Sequence, residues 1–107
     1  MMPIFARFRL PNGRVATVAP GGFVGRLATA ACRIEDPRVS EAHALVSMRG
    51  RSLRLIGLRG APILDGVRVD EAHLAPGQRI TLATGLELDV TQVSVPERII
   101  GLALPDG

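Results

Sequence analysis

The sequence predicts an all-β fold, a sandwich of two antiparallel sheets. Three observations predict it. Apolar residues alternate with polar ones at a period of two through much of the chain, where an amphipathic helix would repeat near 3.6. Turn formers interrupt these runs at short intervals, with 12 glycines and 8 prolines among 107 residues. The apolar fraction of 47% is that of a globular protein, yet it includes only three Phe and no Tyr or Trp, so the core is built from Val, Leu, Ile and Ala. Short strands separated by frequent turns bury their apolar faces by packing one sheet on another.

The first strand is read from IFARFRL, where Ile4, Ala6, Phe8 and Leu10 share one face and Phe5, Arg7 and Arg9 the other. PNG follows, and Asn12-Gly13 predicts a hairpin turn because both residues tolerate positive φ. RVATV resumes as a strand, Pro20 to Gly22 break it, and FVGR is a short strand. Leu27 to Ala31 read as a loop, CRI as a short alternating piece and EDPRVSEAH as loop chemistry. ALVSM and SLRLIGL are two strands divided by Arg49 to Arg51, the second with Leu53 and Leu55 on one face and Arg54 on the other. RGAPILDG is turn-rich, VRV is a short strand, and DEAHLA is either one helical turn or a loop. Ala75 to Gln78 turn into RITLA, Thr84-Gly85 break again, and LELDVTQV places Leu88 and Val90 inward against Glu87, Asp89 and Thr91. Pro96 ends the strand pattern. The predicted organisation is one domain over residues 1–95, followed by a tail, edge strand or linker over 96–107.

A chain of this length suits one domain and buries roughly two-thirds of its unfolded surface. The formal net charge is +3, and all 13 basic residues are arginine. Arginine offers a planar fork that suits carboxylate or phosphate, although a GC-rich coding sequence gives the same bias. The arginines in the middle third, Arg26, Arg33, Arg38, Arg49, Arg51, Arg54 and Arg59, read either as dispersed solvated charge or as a face that accepts phosphate. Nucleic acid is not the expected source of that phosphate, because no DNA-reading helix and few stacking rings are present. The single cysteine, Cys32, reads as a small buried hydrophobe. Arg7 and Arg9 interrupt the first apolar stretch, so no signal peptide is expected, and no apolar run reaches the ~20 residues of a membrane helix. A cytoplasmic protein without a membrane association is the expectation.

Ser40 and His43 could be read as nucleophile and base, but the G-x-S-x-G elbow is absent, since Val39 and Glu41 flank the serine. No enzymatic activity is expected. His43 and His73 lack the spacing of a metal pair, and GGFVG lacks the Lys-Ser/Thr end of a phosphate loop. No cofactor or metal is expected.

One longer pattern joins several of these features. FVGR leads, through a loop, into CRIEDPRVSEAHA, with thirteen residues between Arg26 and Ser40. This resembles the forkhead-associated (FHA) domain family, whose signature is Gly-Arg, a loop, an acidic-Pro step and Val-Ser-x-x-His-Ala. Gly25, Arg26, Asp36, Pro37, Val39, Ser40, His43 and Ala44 match it, and the resemblance extends over about residues 3–93. It implies a two-sheet sandwich with functional loops at one end that bind phosphothreonine peptides, in signalling or regulation and beside other regulatory domains. By resemblance Arg26 contacts the phosphate, Ser40 reaches it with hydroxyl and backbone N–H, His43 holds the loop and Gly25 is structural. The family's Ser-x-Asn-Gly is here Leu58-Arg59-Gly60-Ala61, so Gly60 stands where a peptide-gripping asparagine is expected. Arg59 is then a candidate second guanidinium. Asp65-Gly66 replaces a second Asn-Gly and keeps its turn, while Glu41 follows the serine where the family often has a basic residue. Glu41 and Asp65 would repel a phosphate where they face it. The alternative implied by these departures is a degenerate FHA-like domain for phosphate-independent interaction or oligomerisation.

Overall fold

The structure, a computed structural model, describes residues 3–59 and 61–95. Gly60 and the segment 96–107, expected as a tail, edge strand or linker, lie outside the described residues. The described chain is all-β. Its strands are β1 (Phe5–Arg9), β2 (Val15–Val18), β3 (Phe23–Gly25), β4 (Cys32–Arg33), β5 (Ala44–Arg49), β6 (Ser52–Gly57), β7 (Ile63–Leu64), β8 (Val67–Arg68), β9 (Glu71–His73), β10 (Arg79–Ala83) and β11 (Leu86–Ser94). A six-stranded sheet runs in the order β2-β1-β11-β10-β7-β8 and a five-stranded sheet in the order β4-β3-β5-β6-β9.

The alternation in the sequence is what lets the two sheets close on each other. Ala6, Phe8, Val18, Ile80, Leu88 and Val90 from one sheet meet Val24, Cys32, Ala44, Val46, Leu53 and Leu55 from the other in one buried cluster. Each of these side chains contributes about 1–3 kcal/mol relative to exposure. Cys32 belongs to this core, and burial pushes its thiol up to about 12, which keeps it protonated and unreactive.

Four local expectations are corrected. DEAHLA is neither a helical turn nor a loop: Glu71–His73 forms β9 and pairs antiparallel with β6, because Ala72 fills the core beside Leu55. Within the turn-rich RGAPILDG, Ile63-Leu64 forms β7. At PNG only Gly13 has positive φ (89°), and its N–H donates to Leu10 O at 2.9 Å. With Pro11 restricted to negative φ, the turn closes over Leu10–Gly13 and does not use Asn12 in a left-handed conformation. Finally, β3 and β4 run parallel, within a sandwich whose other pairings are antiparallel among the described residues. Both strands are so short that the loop 26–31 suffices for the return.

The remaining hairpins follow their turn chemistry. Asp65 (φ 47°) and Gly66 (φ 89°) both take positive φ, the signature of a type I′ turn between β7 and β8. Gly50 (φ 60°) leads the two-residue turn between β5 and β6, as a type II′ turn requires.

Candidate functional site

The loops after β3, before β5 and after β6 converge at one end of the sandwich. The first contact follows from Gly25. A Cβ on Gly25 would lie 2.1 Å from the Glu41 carbonyl oxygen, so a glycine is what allows the 40–42 backbone to cross there. The crossing is tied on both sides: Arg26 N donates to Ser40 O and Leu27 N to Glu41 O, each at 3.2 Å. Arg26 Nε adds a short hydrogen bond to Val39 O, which aligns the guanidinium along the loop. Among the described residues the terminal guanidinium nitrogens of Arg26 and the Ser40 hydroxyl have no hydrogen-bond partner.

The acidic-Pro step fixes the loop that presents Ser40. Val39 N donates to Asp36 O at 2.9 Å, and the Val39 side chain is fully buried as an anchor. Asp36 accepts from the Arg38 backbone N–H at 2.9 Å and from its guanidinium at 2.9 and 3.1 Å. These Arg38 hydrogen bonds hold the Asp36 carboxyl down at about 2. Arg38 Nη1 also donates to Thr84 O at 2.7 Å, which clamps the loop to the β10–β11 hairpin. In the sequence Arg38 falls within the general run of arginines in the middle third. Its position two residues after Asp36, across a proline, was the only local signal of this clamp.

His43 ties strand β3 to the loops before β5 and after β6. Its backbone N–H donates to Val24 O at 2.8 Å, and its carbonyl accepts from Leu58 N at 2.9 Å and Arg59 N at 3.4 Å. Its Nδ1 accepts from Ser40 N at 3.2 Å, so the ring proton sits on Nε2. This contact uses the Ser40 amide that the family resemblance directed at phosphate, and leaves the hydroxyl without a partner among the described residues. It is also a loop contact and not a nucleophile–base pair, since it comes from the backbone and not from Oγ. His73, by contrast, is exposed on β9.

Burial pushes the His43 pKa down from 6.5, so the ring is neutral in the fold. Below about pH 6.5 the unfolded chain takes up a proton that the folded chain refuses. Stability is therefore full above that pH and is lost as pH falls toward the depressed folded-state value, by at most about 1.4 kcal/mol per pH unit. Urea denaturation at about pH 7.5 and pH 5.5 measures this loss, and His43→Gln is expected to flatten it. An unchanged slope in the variant would assign the acid sensitivity to other groups.

A groove of about 350 Å³ between these loops is lined by Arg26, Leu27, Ser40, Glu41, Ala42 and Arg59. The structure thus brings Arg26, Ser40 and Arg59 together, with the Arg59 guanidinium free of carboxylate partners among the described residues. Glu41 shares the groove, whereas Asp65 does not. The Asp65 carboxylate accepts from Arg79 N at 3.1 Å and, with Gly66, lines a different surface depression beside β10. Asp65 therefore does not face the Arg26 groove, and it sits at the β7–β8 turn with φ 47°. Position 60, where the family asparagine was missed, lies outside the described residues. The wider basic patch dissolves, because Arg33 pairs with Glu35, Arg38 with Asp36, and Arg49 and Arg54 with Glu71.

A two-sheet sandwich that gathers Arg26, Ser40 and Arg59 on loops at one end is the plan of an interaction module. The sequence matches the FHA domain family over residues 22–83, and the chain belongs to that family. Solved structures agree in fold. One described for phosphothreonine-dependent FHA domain interactions is 25% identical with a TM-score of 0.73, matching over 84% of this chain and 98% of that one. The FhaA FHA domain, solved in complex with the intracellular domain of Rv3910, is 27% identical with a TM-score of 0.70, over 79% of this chain and 98% of that one. The Mycobacterium tuberculosis Rv1747 FHA-1 domain is 25% identical with a TM-score of 0.66, over 84% and 99%. No curated protein sequence matches the chain. FHA domains are interaction modules, and no helix of the described residues is long and apolar enough to cross a membrane.

Proposed function

We propose that this FHA domain binds phosphothreonine-containing peptides of protein partners at the Arg26–Ser40–Arg59 groove. The observation that carries the reading is the meeting of Arg26 and Arg59, from separate loops, with no carboxylate partner among the described residues. A phosphothreonine brings close to two negative charges and three strong acceptor oxygens. Arg26, already oriented through Nε, directs its remaining N–H groups at such an oxygen, and Arg59 supplies the second fork. The Ser40 hydroxyl, lining the same groove, adds a further donor. Gly25 and His43 act by holding the loops, and Asp65-Gly66 by turning β7 into β8.

Calorimetric titration of a degenerate phosphothreonine peptide library and its unphosphorylated twin tests the proposal. Binding in the micromolar range is expected for the phosphorylated set, with at least tenfold weaker binding of the twin. Equal binding of the two, or self-association unaffected by phosphatase treatment, would instead support a phosphate-independent module.

A further inference from the structure

We infer that Glu41 makes this groove select phosphothreonine peptides that carry a basic side chain close to the phosphorylated residue. The inference rests on the reading of the groove as a phosphothreonine site and adds a sequence preference to it.

The placement of Glu41 is fixed by its backbone. Its carbonyl accepts from Leu27 N at 3.2 Å, the neighbouring Ser40 carbonyl accepts from Arg26 N at 3.2 Å, and Gly25 lies directly beneath. The Glu41 Cα therefore cannot retreat without breaking the crossing that also positions Arg26 and Ser40. Its side chain is exposed and lines the same groove as both arginines. Among the described residues it has no ion pair, like Asp65 and Asp70 but unlike Glu35, Asp36, Glu71, Glu87 and Asp89, and of the three it is the one that lines this groove. The groove thus offers three separate charges to a ligand: two positive and one negative.

Charge balance then favours a particular kind of peptide. Arg26, Arg59 and Glu41 sum to one positive charge, while the phosphate carries close to two negative ones. A phosphopeptide without basic residues leaves a negative excess in a groove that Glu41 also lines. A peptide arginine or lysine near the phosphothreonine removes that excess and gives Glu41 the partner it lacks. An acidic residue in the same place adds a second repulsion. An exposed ion pair is worth about 0.2–1 kcal/mol, which corresponds to roughly a 1.4-fold to fivefold preference.

The test uses phosphothreonine peptides with alanine flanks, in which Arg or Glu is placed singly at each of three positions on either side. Binding to the full chain, to Glu41→Gln and to Glu41→Arg is measured by fluorescence anisotropy at low ionic strength, where such pairs are least screened. The parent chain is expected to bind the Arg peptide about fivefold more tightly than the alanine peptide at one or more positions, and about tenfold more tightly than its Glu counterpart. The preference should vanish in Glu41→Gln and invert in Glu41→Arg. Phosphate-dependent binding with the same ranking in parent and Glu41→Gln would overturn the role of Glu41 and leave the groove reading intact. So would a uniform rise in affinity for all peptides in Glu41→Gln. Absence of phosphate-dependent binding by parent and variants alike would overturn both.

Discussion

Arg26→Ala is expected to weaken phosphopeptide binding about 100-fold while leaving the sandwich folded. Hydrogen bonds to charged groups are worth about 1.5–3 kcal/mol each, and the guanidinium can place two on one phosphate. Among the described residues the side chain makes one hydrogen bond, through Nε to the Val39 carbonyl, and is otherwise exposed. Its removal therefore costs at most about 1.5–3 kcal/mol, less than the 5–15 kcal/mol available to a small domain. Titration with the phosphorylated and plain peptides, together with a thermal melt, separates the two effects. Arg26→Lys keeps the charge but not the fork, and should recover only part of the affinity. Undiminished phosphate-dependent binding by the alanine variant would remove Arg26 from the site.

The second large effect is expected at Gly25. Gly25→Ala places a methyl group 2.1 Å from the Glu41 oxygen and 2.8 Å from its carbonyl carbon. Both atoms are backbone, so no rotamer change relieves the clash. The 40–42 segment has to lift, and with it go the Arg26 N to Ser40 O and Leu27 N to Glu41 O hydrogen bonds. Overpacking of this kind costs about 3 kcal/mol, a large share of the 5–15 kcal/mol available to a small domain. Urea denaturation measures it, and the same variant should lose phosphopeptide affinity because Ser40 moves with the segment. A variant as stable as the parent would show that the crossing is not as tight as the structure has it.

The parts legible in the sequence were those set by near neighbours. The period-two alternation of residues such as Ala6, Phe8 and Leu10 announced strands, because successive side chains on a strand face opposite sides. Asp65-Gly66 announced its turn, because only a few residue types accept two consecutive positive φ values. Gly25-Arg26 and Ser40-x-x-His43 were legible as a spaced signature. What failed were short segments whose state depends on a distant partner. Glu71–His73 is a strand only because β6 lies beside it, and three residues carry too little pattern to say so. The same holds for Ile63-Leu64 against β10.

By itself the sequence determined an all-β sandwich and an FHA-type spacing of glycine, arginine, serine and histidine. Alternation and turn chemistry are local, and so can be read along the chain. Only the tertiary structure decided where each charge points. Arg59 enters the groove because the His43 carbonyl holds the start of its loop. Asp65 is turned away to the Arg79 amide, and the Ser40 amide is taken by the His43 ring. Arg38 is bound to its own loop and to Thr84. Whether an arginine or a carboxylate is available to a ligand depends on which partners reach it first. Those partners come from loops that the sheet pairing, and not the sequence order, brings together.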